Sequence, residues 1–88
     1  MQEKTVIVTN RLGLHARPAA TLVQAAARFK SKIKIIKDDQ EVDGKSIMGI
    51  MTLAAAAGTV IRIVIEGEDE SAALAELIRL FESGFGEQ

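Results

Sequence analysis

The run Val60-Ile61-Arg62-Ile63-Val64-Ile65 holds five Val or Ile in six positions, the strongest strand signal in the chain. Branching at Cβ restricts χ1 against a helical turn, whereas such side chains pack well on a pleated surface. Two-residue alternation places Ile61, Ile63 and Ile65 on one face and Val60, Arg62 and Val64 on the other. The all-Ile face must be covered, and the face with the arginine can meet water. A chain of 88 residues has room for one core. The remaining segments must therefore supply the cover, and residues 1–88 are expected to form a single domain.

Those segments have the periodicities required. Thr5–Val8 is β-branched and strand-like, and Lys32–Ile35 alternates polar and apolar. Asp38-Asp39-Gln40 is a turn, and Glu41–Val42–Asp43 is a short return strand at a sheet edge. From Ala16 to about Phe29, the residues Ala19, Leu22, Val23, Ala26 and Phe29 recur at helical steps. A short helix is predicted over Ile47–Leu53, with Ile50 and Leu53 turned to the core and Ser46 as its N-cap. Gly58 follows the Ala54–Ala57 run and is suited to close it in a left-handed conformation. The last helix, about Glu70–Ser83, carries the stripe Leu74, Leu77, Ile78 and Phe81, with acidic residues at its start and Gly84 as its stop. The order is βαββαβα, and its short connections favour an antiparallel sheet with helices on one face, an α+β domain.

Composition narrows the function classes. Apolar residues make up 48% and charged residues 26%, with a net charge of −1, which is the balance of a globular protein and lacks the basic excess of a nucleic-acid binder. Three Phe with no Trp or Tyr leave no stacking platform for bases. The absence of Cys excludes disulfides and thiol chemistry, and a single His argues against a structural metal site. Nothing calls for a cofactor. The longest apolar stretch, Leu53–Ala57, is too short to span a bilayer, and Met1–Lys4 does not open a signal-type segment. The cytoplasm is the expected compartment, with no membrane insertion.

The single histidine lies in Gly13-Leu14-His15-Ala16-Arg17-Pro18, between the first strand and the first helix. A lone histidine at a helix start is most simply a capping or surface residue. The neighbours here point to chemistry as well. Free backbone N–H groups and the positive end of the helix dipole favour an anion, so Ala16, Arg17 and Pro18 form a candidate phosphate cradle. The guanidinium of Arg17 can fork onto phosphate oxygens. Pro18 costs the first turn no hydrogen bond and stiffens it. A nucleophilic imidazole in such a place suggests a carrier of phosphoryl groups. Beyond Ser46, the residues Ile47, Met48 and Met51 share one face of the short helix, an apolar docking patch if nothing covers it.

Two separated motifs, Gly13-Leu14-His15-Ala16-Arg17-Pro18-Ala19 and Lys45-Ser46-Ile47-Met48-Gly49-Ile50-Met51, give the whole chain a strong resemblance to the histidine-containing phosphocarrier (HPr) family. That family belongs to the bacterial phosphoenolpyruvate-dependent phosphotransferase system. The resemblance implies an open-faced β-sandwich, a four-stranded antiparallel sheet covered on one face by three helices. It implies that His15 accepts a phosphoryl group through Nδ1 from enzyme I and passes it to enzyme IIA domains in sugar uptake. The protein would then be a covalent intermediate and not an enzyme, a monomer handed between partners. Arg17 would contact the phosphate or a partner. Transfer between two histidines needs alignment and charge neutralisation, so such a site requires neither a carboxylate partner nor a metal.

The resemblance also makes Ser46 the target of an HPr kinase/phosphorylase and adds a transcriptional regulator to the implied partners. Two features complicate it. Ala54 stands where many members carry glycine, which argues against a positive φ at that point. Thr9–His15 and Leu80–Phe85 resemble proteobacterial forms, including the nitrogen-related paralogue. The alternative output is therefore a nitrogen-branch regulatory phosphocarrier or co-repressor acting mainly by protein binding.

Overall fold

A computed structural model of the chain describes residues 1–87. Its elements are β1 (Gln2–Ile7), α1 (Ala16–Ala27), β2 (Lys32–Lys37), β3 (Gln40–Asp43), α2 (Ile47–Thr52), β4 (Val60–Glu66) and α3 (Glu70–Glu82). A 3-10 turn over Gly84–Gly86 follows α3. The four strands form one antiparallel sheet in the order β1-β4-β2-β3. This is the expected open-faced α+β sandwich.

The aliphatic run takes an inner position in the sheet for the reason its sequence gives. Ile61, Ile63 and Ile65 are fully buried. Ile61 pairs with Val6, while Ile63 and Ile65 pair with Ile35 and Ile33 of β2, so one sheet face is continuously aliphatic. Leu22 and Ala26 of α1, Ile50 of α2, and Ala73, Leu77 and Phe81 of α3 close over that face. On the opposite face Arg62 pairs with Glu3 at 2.9 Å, and Lys34 with Glu41 at 3.5 Å. Exposed pairs of this kind contribute little to stability, and they suit a face that meets water.

The element boundaries differ from the sequence reading where backbone pairing outruns the apolar pattern. β1 begins at Gln2, because the ladder to Ile65 recruits polar residues upstream of Thr5. Val8 falls just beyond the strand but is buried, its N–H donating to Thr59 O at 2.9 Å. α1 stops at Ala27, and the N–H groups of Arg28 and Phe29 tighten onto the carbonyls of Ala25 and Ala26.

Along α3 the buried flank is Ala73, Leu77, Leu80 and Phe81, while the expected Leu74 and Ile78 are only partly covered. Leu77 and Phe81 fit either stripe. The buried flank thus takes in the small Ala73 and Leu80 in place of Leu74 and Ile78.

α2 ends at Thr52, and the Ala54–Ala57 run is not helical. Ala54 itself adopts φ 50°, contrary to the expectation drawn from its replacing a glycine. Buried Leu53 and Ala55 anchor both sides of it, and Leu14 N–H donates to Ala55 O at 2.8 Å. Those contacts outweigh a left-handed penalty of about 1–2 kcal/mol. Gly58 does take the left-handed conformation, at φ 89°, but it ends a loop and not a helix. At the other end of the chain, Gly84 at φ 61° and Phe85 at φ 58° turn the backbone beside Thr9 and Asn10, which follow β1. The Phe85 ring packs edge-on against Phe81, with centroids 5.0 Å apart. That reversal brings Glu87 into the neighbourhood of His15.

Candidate functional site

The segment from Val8 to Leu14 is fixed before His15 begins. Gly13 N–H donates to Asn10 O at 3.1 Å, and the buried Asn10 side chain donates through Nδ2 to Gly13 O at 2.6 Å. Gly13 is one place where only glycine serves. Its φ is 71°, and a Cβ there would lie 2.4 Å from Ala55 O.

His15 then occupies the N-cap of α1 with extended backbone (φ −76°, ψ −171°), and Ala19 N–H donates to its carbonyl at 3.0 Å. The imidazole makes no capping hydrogen bond, so the simple cap reading of this residue fails. Pro18 has no N–H to offer, which leaves those of Ala16 and Arg17 at a helix end with no acidic residue in its first turn. The positive end of the α1 dipole is thus uncompensated by any side chain of its own helix. Ala16 and Arg17 are exposed and Pro18 is buried, so the candidate cradle is open to solvent and backed by the core.

The ring has a partner that local sequence does not reveal. His15 Nε2 lies 3.1 Å from Glu87 Oε1, the two residues being 72 positions apart, and the same oxygen accepts from Asn10 Nδ2 at 3.1 Å. This corrects the expectation of a site without a carboxylate. Burial alone would raise the Glu87 carboxyl. Hydrogen bonds from His15 and Asn10, with the charges of His15 and Arg17, hold it below the usual carboxylate range instead. Arg17 forms no ion pair among the described residues, but its charge reaches Glu87. Nothing near residue 87 marks it in the sequence. The only cue is Gly84-Phe85-Gly86, a segment able to double the chain back.

Ser46 caps α2 as expected, with Gly49 N–H donating to its Oγ at 3.0 Å. Ile47, Met48 and Met51 are 42%, 73% and 42% exposed, so their face is uncovered, whereas Ile50 and Leu53 are buried. The two sequence motifs also meet in space. A cleft of about 300 Å³ is lined by Leu12, Leu14, His15, Met51 and Ala54–Ala56. Leu12, an apolar neighbour that the sequence reading passed over, is 68% exposed at its rim.

An open-faced sandwich with a histidine at an uncapped helix start defines the class of histidine-containing phosphocarrier folds. The family model described as the PTS HPr component phosphorylation site matches residues 2–83, so the chain belongs to the HPr family, phosphocarriers of the phosphotransferase system. The phosphocarrier protein HPr of Treponema pallidum (strain Nichols) is 53% identical over 88 residues, covering 100% of both chains. The HPr-like protein Crh of Halalkalibacterium halodurans is 50% identical over 82 residues, or 93% of this chain and 98% of its own. The crystal structure of HPr-C-His from Thermoanaerobacter tengcongensis matches with a TM-score of 0.96 at 49% identity, covering 100% of this chain and 99% of that one.

Proposed function

We propose that His15 is the residue that takes up the phosphoryl group, from a phosphohistidine of enzyme I charged by phosphoenolpyruvate, and passes it to a histidine of an enzyme IIA domain in sugar uptake. The protein acts as a covalent intermediate with no turnover of its own. The observation that carries this reading is the start of α1, where an uncapped imidazole stands beside two N–H groups and the first turn holds no acidic residue. A transferring phosphoryl group carries dispersed negative charge and gains most from positioned donors and positive ends of dipoles. Arg17 adds a mobile cation that can follow the group as it arrives and leaves. Their exposure keeps the stabilisation moderate, which a carrier of a reactive N–P bond requires.

Ser46 is the proposed second phosphorylation site, read by an HPr kinase/phosphorylase. Its place at the start of α2 lets the new charge be accepted without unfolding the helix. Ile47, Met48 and Met51, continuous with the His15 cleft through Met51, are the proposed docking surface. A monomer in the cytoplasm fits successive handover between partners. Among the described residues, no helix is long and apolar enough to cross a membrane.

The likeness to an HPr-like protein Crh supports a second reading, in which the output is regulatory binding, to a transcriptional regulator or within a nitrogen branch. Phosphoryl transfer to purified sugar-specific enzyme IIA domains, or only to regulatory ones, separates the two.

The test of the phosphocarrier reading is intact mass after incubation with phosphoenolpyruvate and enzyme I. Wild type should gain one acid-labile phosphoryl group, and His15→Ala should remain folded and gain none. An unlabelled wild type, or a labelled His15→Ala, overturns it.

A further inference from the structure

The contact between the C-terminal segment and His15 determines more than a neighbour. Asn10 Nδ2 faces Gly13 O at 2.6 Å, an atom that can only accept, so the orientation of the buried amide is settled. The same Nδ2 also donates to Glu87 Oε1. That oxygen is therefore an acceptor, and His15 Nε2 at 3.1 Å must be the donor. In the neutral ring one nitrogen carries the proton and the other the lone pair. With the proton held on Nε2, the lone pair is on Nδ1. Asn10 Oδ1 is buried with no hydrogen-bond partner among the described residues, so the amide meets Gly13 and Glu87 through Nδ2 alone.

We propose that Glu87 is a positioning residue for phosphoryl transfer: it holds the proton on His15 Nε2, presents Nδ1 as the nucleophile, and balances the charge that the ring acquires. This rests on the phosphocarrier reading of His15.

In the transfer step, the Nδ1 lone pair forms a bond to phosphorus as the N–P bond of the donor phosphohistidine breaks. The bonding pair returns to the donor nitrogen. The His15 ring keeps its Nε2 proton and becomes cationic, so no proton need leave or arrive. Glu87 Oε1 already faces that cation at 3.1 Å. Arg17 is left for the phosphoryl oxygens on the open side of the helix start. Glu87 and Arg17 are the charged side chains coupled to this site, and the cleft wall from α2 and the following loop is uncharged.

The experiment combines nitrogen-15 NMR of the neutral His15 ring with rates of labelling by phosphoenolpyruvate and enzyme I. It compares wild type, Glu87→Ala and Glu87→Gln. Wild type should show the Nε2–H form in clear excess, and Glu87→Ala should move toward the ratio of a free imidazole and label about three- to tenfold more slowly. Glu87→Gln keeps an acceptor but not the charge. It should retain the tautomer preference and recover only part of the rate.

An unchanged tautomer ratio in Glu87→Ala overturns the proposal, whatever its rate. Faster labelling of Glu87→Ala also overturns it, by making the carboxylate a latch over the ring. Failure of the phosphocarrier reading is seen separately, as a wild type that does not label, while the tautomer measurement still decides what Glu87 does to the ring.

Discussion

The starts of α1 and α2 are built from similar backbone and finished in opposite ways. At α2, the Ser46 hydroxyl accepts from Gly49 N–H, so part of the helix end is satisfied from within the chain. At α1, His15 holds the same N-cap position, gives no side-chain cap, and turns its ring to Glu87. α3 has acidic Glu70 in its first turn, whereas α1 has no acid there. Satisfied helix ends stabilise a fold, and an unsatisfied one retains its affinity for an incoming anion. On the proposed reading, this difference suits α1 to the phosphoryl chemistry and α2 to a signal carried by added charge.

Tests at the three helix starts probe that contrast, in order of expected effect. Arg17→Ala removes the cation beside the open helix start and should slow phosphoryl transfer by roughly 10- to 150-fold, or ~1.5–3 kcal/mol for a lost charge-assisted hydrogen bond. Its thermal midpoint should hardly move, since Arg17 is exposed. Single-turnover rates in both directions check this, and unaltered rates would remove Arg17 from the site.

At the capped start, Ser46→Asp should slow labelling of His15 several-fold by weakening partner affinity next to the Ile47-Met48-Met51 face. That defect should shrink as salt screens the repulsion. Ser46→Ala should label almost normally and lose about 1 kcal/mol of stability with the cap. Labelling rate against enzyme I concentration distinguishes them. An Asp variant identical to wild type would reduce Ser46 to a structural cap.

The smallest effect is acid sensitivity. Ser31 Oγ and the N–H groups of Lys30 and Ser31 donate to the Asp69 carboxylate and hold it below its ordinary value near 3.8. A lowered folded-state value means that this stability is complete above the ordinary value and is lost as pH falls through the folded one. Urea midpoints should therefore decline below about pH 4, and Asp69→Asn should flatten part of that decline. An equally steep decline in the variant would assign it to other carboxylates. Glu70, Glu76 and Glu87 are also lowered and act in the same direction.

What the sequence made legible follows the range of the interactions involved. The aliphatic run of β4, the cap at Ser46 and the helix start at His15-Ala16-Arg17-Pro18 are declared by residues within a few positions of one another. Local periodicity and capping chemistry can read them. The flank that α3 buries was not legible, because Leu74, at i−3 and i−7 from Leu77 and Phe81, and Ala73, at i−4 and i−8, both fit a helical repeat, and only the sheet chooses between them. Ala54 was misread because its left-handed backbone is imposed by Leu53, Ala55 and the Leu14 hydrogen bond. The Glu87 contact spans 72 positions and depends on the reversal at Gly84–Gly86. No local pattern encodes it.

The central claim is that the uncapped start of α1, and not the capped start of α2, receives the phosphoryl group. Amide NMR of the protein before and after enzyme I labelling tests it directly, since an anion accepting from a backbone N–H shifts that amide. The account predicts large shifts at the Ala16 and Arg17 amides, phosphorus bonded to His15 Nδ1, and an unmoved Gly49 amide. Unmoved amides at Ala16 and Arg17 in a fully phosphorylated sample would contradict it.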